Sequence, residues 1–118
     1  MAATKSGSTL QSSTSNTAGS TTTSSSLDLT TAYGAVILAK ITNGGTGPTV
    51  ACTATVNVSS DNSTWKYYQA ATAGVANSGV YAFAFDIAAP VMYAQVVFTG
   101  NTGQTVTVEA FAETLTGI

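Results

Sequence analysis

Residues 53–68 read TATVNVSSDNSTWKYY, and no other stretch narrows the choice of fold as far. Ala54, Val56 and Val58 alternate with Thr53, Thr55 and Asn57. That period of two puts the apolar side chains on one face of a half-buried strand. Ser59-Ser60-Asp61-Asn62-Ser63 follows, and Asp and Asn suit turns because they tolerate left-handed backbone and bond their own main chain. Trp65, Tyr67 and Tyr68 open the return strand. The stretch predicts an antiparallel hairpin with arms 49–60 and 63–71, and a sheet protein built outward from it.

The rest of the folded part repeats this grammar. A short strand is expected at 27–29. A second, at 33–43, contains Ala35-Val36-Ile37-Leu38-Ala39, apolar on both faces, as in a strand buried on both sides. Its outer face therefore calls for a cover: a loop, the N-terminal segment or another subunit, with Val36 and Leu38 as the subunit-interface residues. Gly44-Gly45-Thr46-Gly47-Pro48 is a loop. It lacks the Gly-Lys-Ser/Thr ending of a phosphate loop, and no helical pattern follows it. In 80–87, Tyr81, Phe83, Phe85 and Ile87 share one side and should face the core. In 91–99, Met92, Ala94, Val96 and Phe98 share a face. Gly100-Asn101-Thr102-Gly103 reads as a hairpin turn, and Val106, Val108 and Ala110 point inward from the closing strand. Seven or eight short strands without a 3.6-residue period predict an all-β chain: a single antiparallel β-sandwich, jelly-roll-like, over 27–118. A closed barrel is the alternative.

Residues 1–26 differ. Of the 21 residues in 6–26, 15 are Ser or Thr, and Leu10 is the one sizeable apolar side chain. Such a segment buries too little surface to offset its ordering entropy. It is expected to be either a solvated tail or an extended arm that adds to a neighbour's sheet edge. In the second case Leu10, Ser12, Thr14, Thr21 and Thr22 are the partner-binding residues.

The inventory of reactive groups is short. Charged residues are 7% of the chain, with three lysines, no arginine and no histidine. Three scattered lysines do not make a nucleic-acid surface. No apolar run approaches the length of a membrane span. Lack of histidine rules out histidine-based triads, and one cysteine cannot build a thiolate metal site. Cys52 lies on the same side of its strand as Ala54 and reads as a small core residue. The carboxylates are Asp28, Asp61, Asp86, Glu109 and Glu113. Asp86 and Glu109, on different strands, are the pair a glycosidase reading would need to flank a sugar, but solvated strand residues are the simpler reading. Asp61-Asn62-Ser63 resembles half a calcium loop without its later acidic partner, so a self-satisfied turn is expected. The chain is read as a non-enzyme without cofactor or metal. Trp65, Tyr67 and Tyr68 supply the alternative, a sugar-stacking platform, against the simpler reading as packed aromatics. Without paired cysteines or an apolar leader, synthesis in a reducing cytoplasm is expected.

The stretch VNVSSDNSTW (56–65) resembles a hairpin common in small β-sandwich proteins of tailed-bacteriophage virions. MYAQVVFTGNTGQTVTVEAFAE (92–113) is similar to the paired closing strands of the same jelly-roll type, and the Ser/Thr-rich leader to the arms of capsid decoration (cement) proteins. The resemblance implies a mechanical role without catalytic or ligand residues. Copies of the protein, often trimers in such families, would sit on the outside of the head, bind the major capsid protein and bridge neighbouring subunits. A neck, tail or fibre component is the nearby alternative.

Overall fold

The computed structural model describes residues 3–117; the expected bounds at residues 1 and 118 lie outside the described residues. Among them the regular elements are all strands: β1 (Thr4–Asn16), β2 (Thr22–Thr23), β3 (Leu27–Asp28), β4 (Ala35–Asn43), β5 (Thr53–Ser59), β6 (Lys66–Thr72), β7 (Val80–Ile87), β8 (Tyr93–Thr99) and β9 (Val106–Gly117). Two antiparallel sheets form, one in the order β1-β9-β4-β7 and the other β2-β8-β5-β6 with β3 also on β8. β2 pairs with Phe98 and Val97, β3 with Ala94 and Tyr93. They act as one edge strand interrupted at 24–26. Every connection crosses between the sheets except β2–β3, the break within that edge, and β5–β6. This is jelly-roll topology: an antiparallel β-sandwich, not a closed barrel.

The alternation read from the sequence builds the core. Ile37 and Ile41 of β4 and Val106, Val108 and Ala110 of β9 come from one sheet; Ala54 and Val56 of β5 and Ala94, Val96 and Phe98 of β8 come from the other, all buried. The opening hairpin forms as β5–β6, with Thr53 opposite Thr72 and Val58 opposite Lys66. Phe85 and Ile87 are buried, Tyr81 and Phe83 partly so. Cys52 is fully buried beside them, and burial pushes its thiol up to about 11.

Four local expectations are corrected. The sandwich does not start at Leu27. Residues 4–16 pair along β9, from Thr4 opposite Gly117 to Asn16 opposite Val106, and the Leu10 side chain enters this chain's own core. The segment is neither a free tail nor an arm reaching outward, because its backbone finds partners along β9 and its one large apolar side chain finds the space between the sheets. Gly100-Asn101-Thr102-Gly103 is not a hairpin: β8 and β9 lie in opposite sheets. The corner between them uses left-handed backbone at Gly100 (φ 100°) and Gly103 (φ 84°), which glycine adopts without steric cost. Met92, at the mouth of the sandwich before β8 begins, is exposed. Finally, β4 is not buried on both sides. Leu38 stands 40% exposed, because the N-terminal segment extends the sheet sideways instead of lying over it.

Buried polar side chains fasten the start of the chain. Asn16 and Asn101 are 1% and 0% exposed. Asn16 Nδ2 donates to Asn101 Oδ1 at 2.6 Å and to the Ser20 carbonyl at 3.1 Å. Asn101 Nδ2 donates to the carbonyls of Asn16 and Gln104, both at 3.0 Å. Thr22 Oγ1 donates to Asn16 Oδ1 at 2.7 Å, and the Gly19 amide donates to the Asn101 carbonyl at 2.9 Å. Buried amides are stable only when satisfied in this way. At the break between β2 and β3, Ser24 continues the ladder: its amide donates to the Val96 carbonyl at 2.8 Å, and its Oγ accepts from the Val96 amide at 2.9 Å.

Candidate functional site

The outer face of the β1-β9-β4-β7 sheet is the most distinctive surface of the molecule. Cross-strand pairing sets Thr9 beside Phe111, Phe111 beside Leu38, and Leu38 beside Ala84. Along the strands, the next row holds Glu109, Lys40 and Ala82, and the row on the other side holds Gly7, Glu113, Val36 and Asp86. The result is an apolar bar flanked on one side by an ion pair and on the other by carboxylates. Leu38 and Phe111 are 40% and 39% exposed, and with Thr9, Ser12, Phe83 and Ala84 they line an open groove. Phe111 leans over Gly7 on the edge strand. A Cβ at that glycine would sit 2.8 Å from the ring, so the missing side chain there seats the aromatic.

The charges on this face are already engaged or scattered. Lys40 Nζ lies 3.5 Å from Glu109 Oε1, both side chains about half exposed. Exposed pairs of this kind contribute under about 1 kcal/mol and chiefly set orientation. Asp86 is on β7 and Glu109 on β9, with β4 between them, so the two carboxylates do not face each other across a cleft. At the β5–β6 turn, Asp61 Oδ1 accepts from Ser59 Oγ at 2.9 Å and from the amides of Ser63 and Thr64 at 2.9 and 2.8 Å. The Thr64 amide, the Ser59 hydroxyl and the Ser63 amide together hold its carboxyl below the usual value. Asp28 is lowered in the same sense by the hydroxyl and amide of Thr30.

The residues assigned to an arm fall in different places. Leu10 is in the core. Thr14 pairs opposite Val108, Thr21 Oγ1 lies 2.9 Å from Thr99 Oγ1, and Thr22 bonds Asn16. All four are therefore engaged within the chain. Ser12 alone opens onto the apolar groove. Val36 and Leu38 do lie together on the outer face. The aromatic trio is divided: Tyr67 is 71% exposed on the outer face of the second sheet, while Trp65 is half-buried just before β6. Tyr68 sits at a register shift in β6 and turns toward the other sheet, its Oη donating to the Asp86 carbonyl at 3.3 Å and accepting from the Ala88 amide at 3.2 Å. Phe111 escaped the sequence reading. Its place on the outer side of β9 follows from the same alternation that puts Ala110 and Ala112 inside.

No protein-family model matches the chain, and no curated protein matches it. Solved structures do. A chain in the structure of infectious bursal disease virus, Gx strain, is similar over 98% of this chain with a TM-score of 0.62 and 14% identity. The enzymatically active domain of tailspike protein 4 from bacteriophage CBA120 is similar over 97% with a TM-score of 0.56 and 9% identity. A family 16 carbohydrate-binding module is similar over 81%, covering 70% of that module, with a TM-score of 0.50 and 10% identity. The chain spans a third of the virus chain's length (33%) and 19% of the tailspike chain's. At these identities the likeness is one of fold: a β-sandwich found in viral and carbohydrate-binding proteins alike.

Proposed function

We propose that this chain is a non-enzymatic structural protein of a bacteriophage particle, a decoration protein on the outside of the head that bridges neighbouring capsid subunits. The observation that carries the reading is the uncovered apolar bar of Leu38 and Phe111 on the outer face of a sandwich that is otherwise poor in charge. A free surface seldom leaves large apolar side chains grouped in this way without a partner to cover them. A low proportion of charge suits a protein whose surface is largely occupied by other proteins. The virus and tailspike likenesses support the class of particle, and the sequence resemblance supports the head.

The test compares particles made with the gene intact and with it deleted. Quantitative mass spectrometry should find the chain at hundreds of copies in the intact particle, and heads lacking it should lose DNA at a lower temperature. Leu38→Glu together with Phe111→Glu should fold and fail to bind such heads. Six or twelve copies per particle would move the protein to the neck or tail, and absence from particles would end the reading. A second reading has its own observation, the exposed Tyr67 on the opposite sheet together with the fold shared with a carbohydrate-binding module. It predicts glycan binding that Tyr67→Ala abolishes while the fold is kept.

A further inference from the structure

We propose that two copies of this chain join edge to edge through β7, continuing the β1-β9-β4-β7 sheet across a two-fold axis. The argument starts from the four sheet edges, which are not treated alike. The β2/β3 edge pairs only two residues at a time. The β1 edge shifts register against β9 at three places and carries Lys5 and Gly7. The β6 edge shifts register at Tyr68 and begins with the exposed Lys66. Short length, irregular register and lysine are the devices that stop an edge from pairing further. β7 has none of them. It runs in unbroken register against β4 from Val80 to Ile87, reads VYAFAFDI, and carries one charge, Asp86, near its end.

The hydrogen-bond phase of β7 follows from its first contact with β4. The Asn43 amide donates to the Gly79 carbonyl at 2.8 Å. In an antiparallel ladder, pairs that exchange such bonds alternate with pairs that do not. Tyr81, Phe83, Phe85 and Ile87 therefore turn their main-chain groups to β4, while Val80, Ala82, Ala84 and Asp86 turn theirs outward. The hydrogen bonds of Tyr68 to the Asp86 carbonyl and the Ala88 amide agree with this phase and close that end of the edge. Val80, Ala82 and Ala84 are left presenting amides and carbonyls at the end of the sheet, where no further strand lies among the described residues. At positions 82 and 84 the side chains are small, and approach is open.

A second β7 fits this edge in one register. With Phe83 on the two-fold axis, Ala82 lies opposite Ala84 of the second copy, and the outward-facing residues meet in hydrogen-bonded pairs. About four main-chain bonds form between these alanines alone. Val80 then lies opposite Asp86, so the two Asp86 carboxylates stay at opposite ends of the seam. The two half-buried Phe83 rings cover each other beneath it. Pairing a strand with itself consumes the edge in both copies and closes at two. That closure separates this use of β7 from open-ended aggregation.

The test is hydrogen exchange of the full chain, read residue by residue by NMR from low micromolar to near-millimolar concentration, with sedimentation velocity in parallel. The expected result is a monomer–dimer equilibrium in which the amides of Val80, Ala82 and Ala84 slow as the dimer fills and those along β6 do not. Ala84→Pro removes an outward amide without touching the β4 ladder and should weaken the dimer at least tenfold. A chain that stays monomeric with these three amides exchanging freely at every concentration overturns the proposal, as does a dimer in which they remain unprotected. If Ala84→Pro does not fold, the exchange pattern of the unaltered chain decides alone. Loss of particle binding in the Leu38→Glu, Phe111→Glu variant would leave this seam intact, so the two proposals fail separately.

Discussion

β1 and β9 lie side by side for almost their whole length, yet they are strands for different reasons. β9 buries every second residue from Val106 to Thr114, and that alternation would make it a strand in many contexts. β1 buries only Leu10 and Asn16 among its 13 residues. It is held by the main-chain groups that β9 offers, by one leucine, and by an amide clamp at its C-terminal end. The comparison teaches that a Ser/Thr segment without apolar periodicity can still be part of a sandwich when a regular strand beside it supplies the template.

The largest expected effect comes from removing the weaker partner altogether. Deleting residues 1–16 bares the full edge of β9, takes Leu10 out of the core and strips Asn101 of its amide partner. The truncated chain should lose cooperative thermal unfolding by circular dichroism and collect in aggregates. A truncated chain that melts like the intact one would restore the segment to the status of a free arm.

The asymmetry also explains what could be read from the sequence. Strands β4 to β9 are legible because their inward faces, such as Val106-Val108-Ala110 and Ala94-Val96-Phe98, repeat with period two. The outer-face pair Val36 and Leu38 was legible too, as one apolar residue too many for a strand with a wet side. β1 was not, since Ser and Thr carry no sign of which face is buried and its partner is nearly a hundred residues away. The corner at Gly100–Gly103 has the composition of a hairpin turn, and only the partner of β9 decides that the chain crosses to the other sheet. Asn16 and Asn101 looked like ordinary loop amides, because mutual satisfaction of buried polar groups leaves no trace in sequence spacing.

The clamp gives the next effect. Asn101→Ala removes one of the two acceptors of the Asn16 side-chain amide, which keeps the Ser20 carbonyl, and takes the donor from the carbonyls of Asn16 and Gln104; each buried group left unsatisfied costs about 1–3 kcal/mol. Urea unfolding should show a loss of about 3 kcal/mol or more. Ser13→Ala, at an exposed position of the same strand, should stay within about 0.5 kcal/mol. Equal effects at the two positions would mean that β1 is held evenly along its length and not pinned at its end.

Two leucines of one sheet sharpen the contrast further. Leu10 is 6% exposed on the weakly patterned β1, whereas Leu38 is 40% exposed on the strongly patterned β4. Leu10→Ala should cost about 2–3 kcal/mol, the lower part of the range for a buried leucine, and Leu38→Ala well under that. Particle binding should move in the opposite sense, weakened by Leu38→Ala and retained by Leu10→Ala wherever the variant is folded. A reversed order in stability would place the N-terminal segment outside the core.

The smallest expected effect separates the two polar fastenings, the buried Asn16–Asn101 clamp and the exposed Asp61 turn. Amides do not titrate, so the clamp contributes equally across the acidic range. Asp61 does titrate, and its folded value lies below the ordinary 3.8 of the unfolded chain. A group depressed in this sense stabilises the fold above its unfolded value and loses that contribution as pH falls through the folded one. Unfolding measured from neutral pH down to strong acid should therefore show stability declining below about pH 4, with Asp28 adding in the same sense. Asp61→Asn should flatten part of that decline, whereas Asn101→Ala should lower the whole curve without changing its slope. An Asp61→Asn curve parallel to that of the unaltered chain would mean that the turn's hydrogen bonds do not depend on the carboxylate's charge.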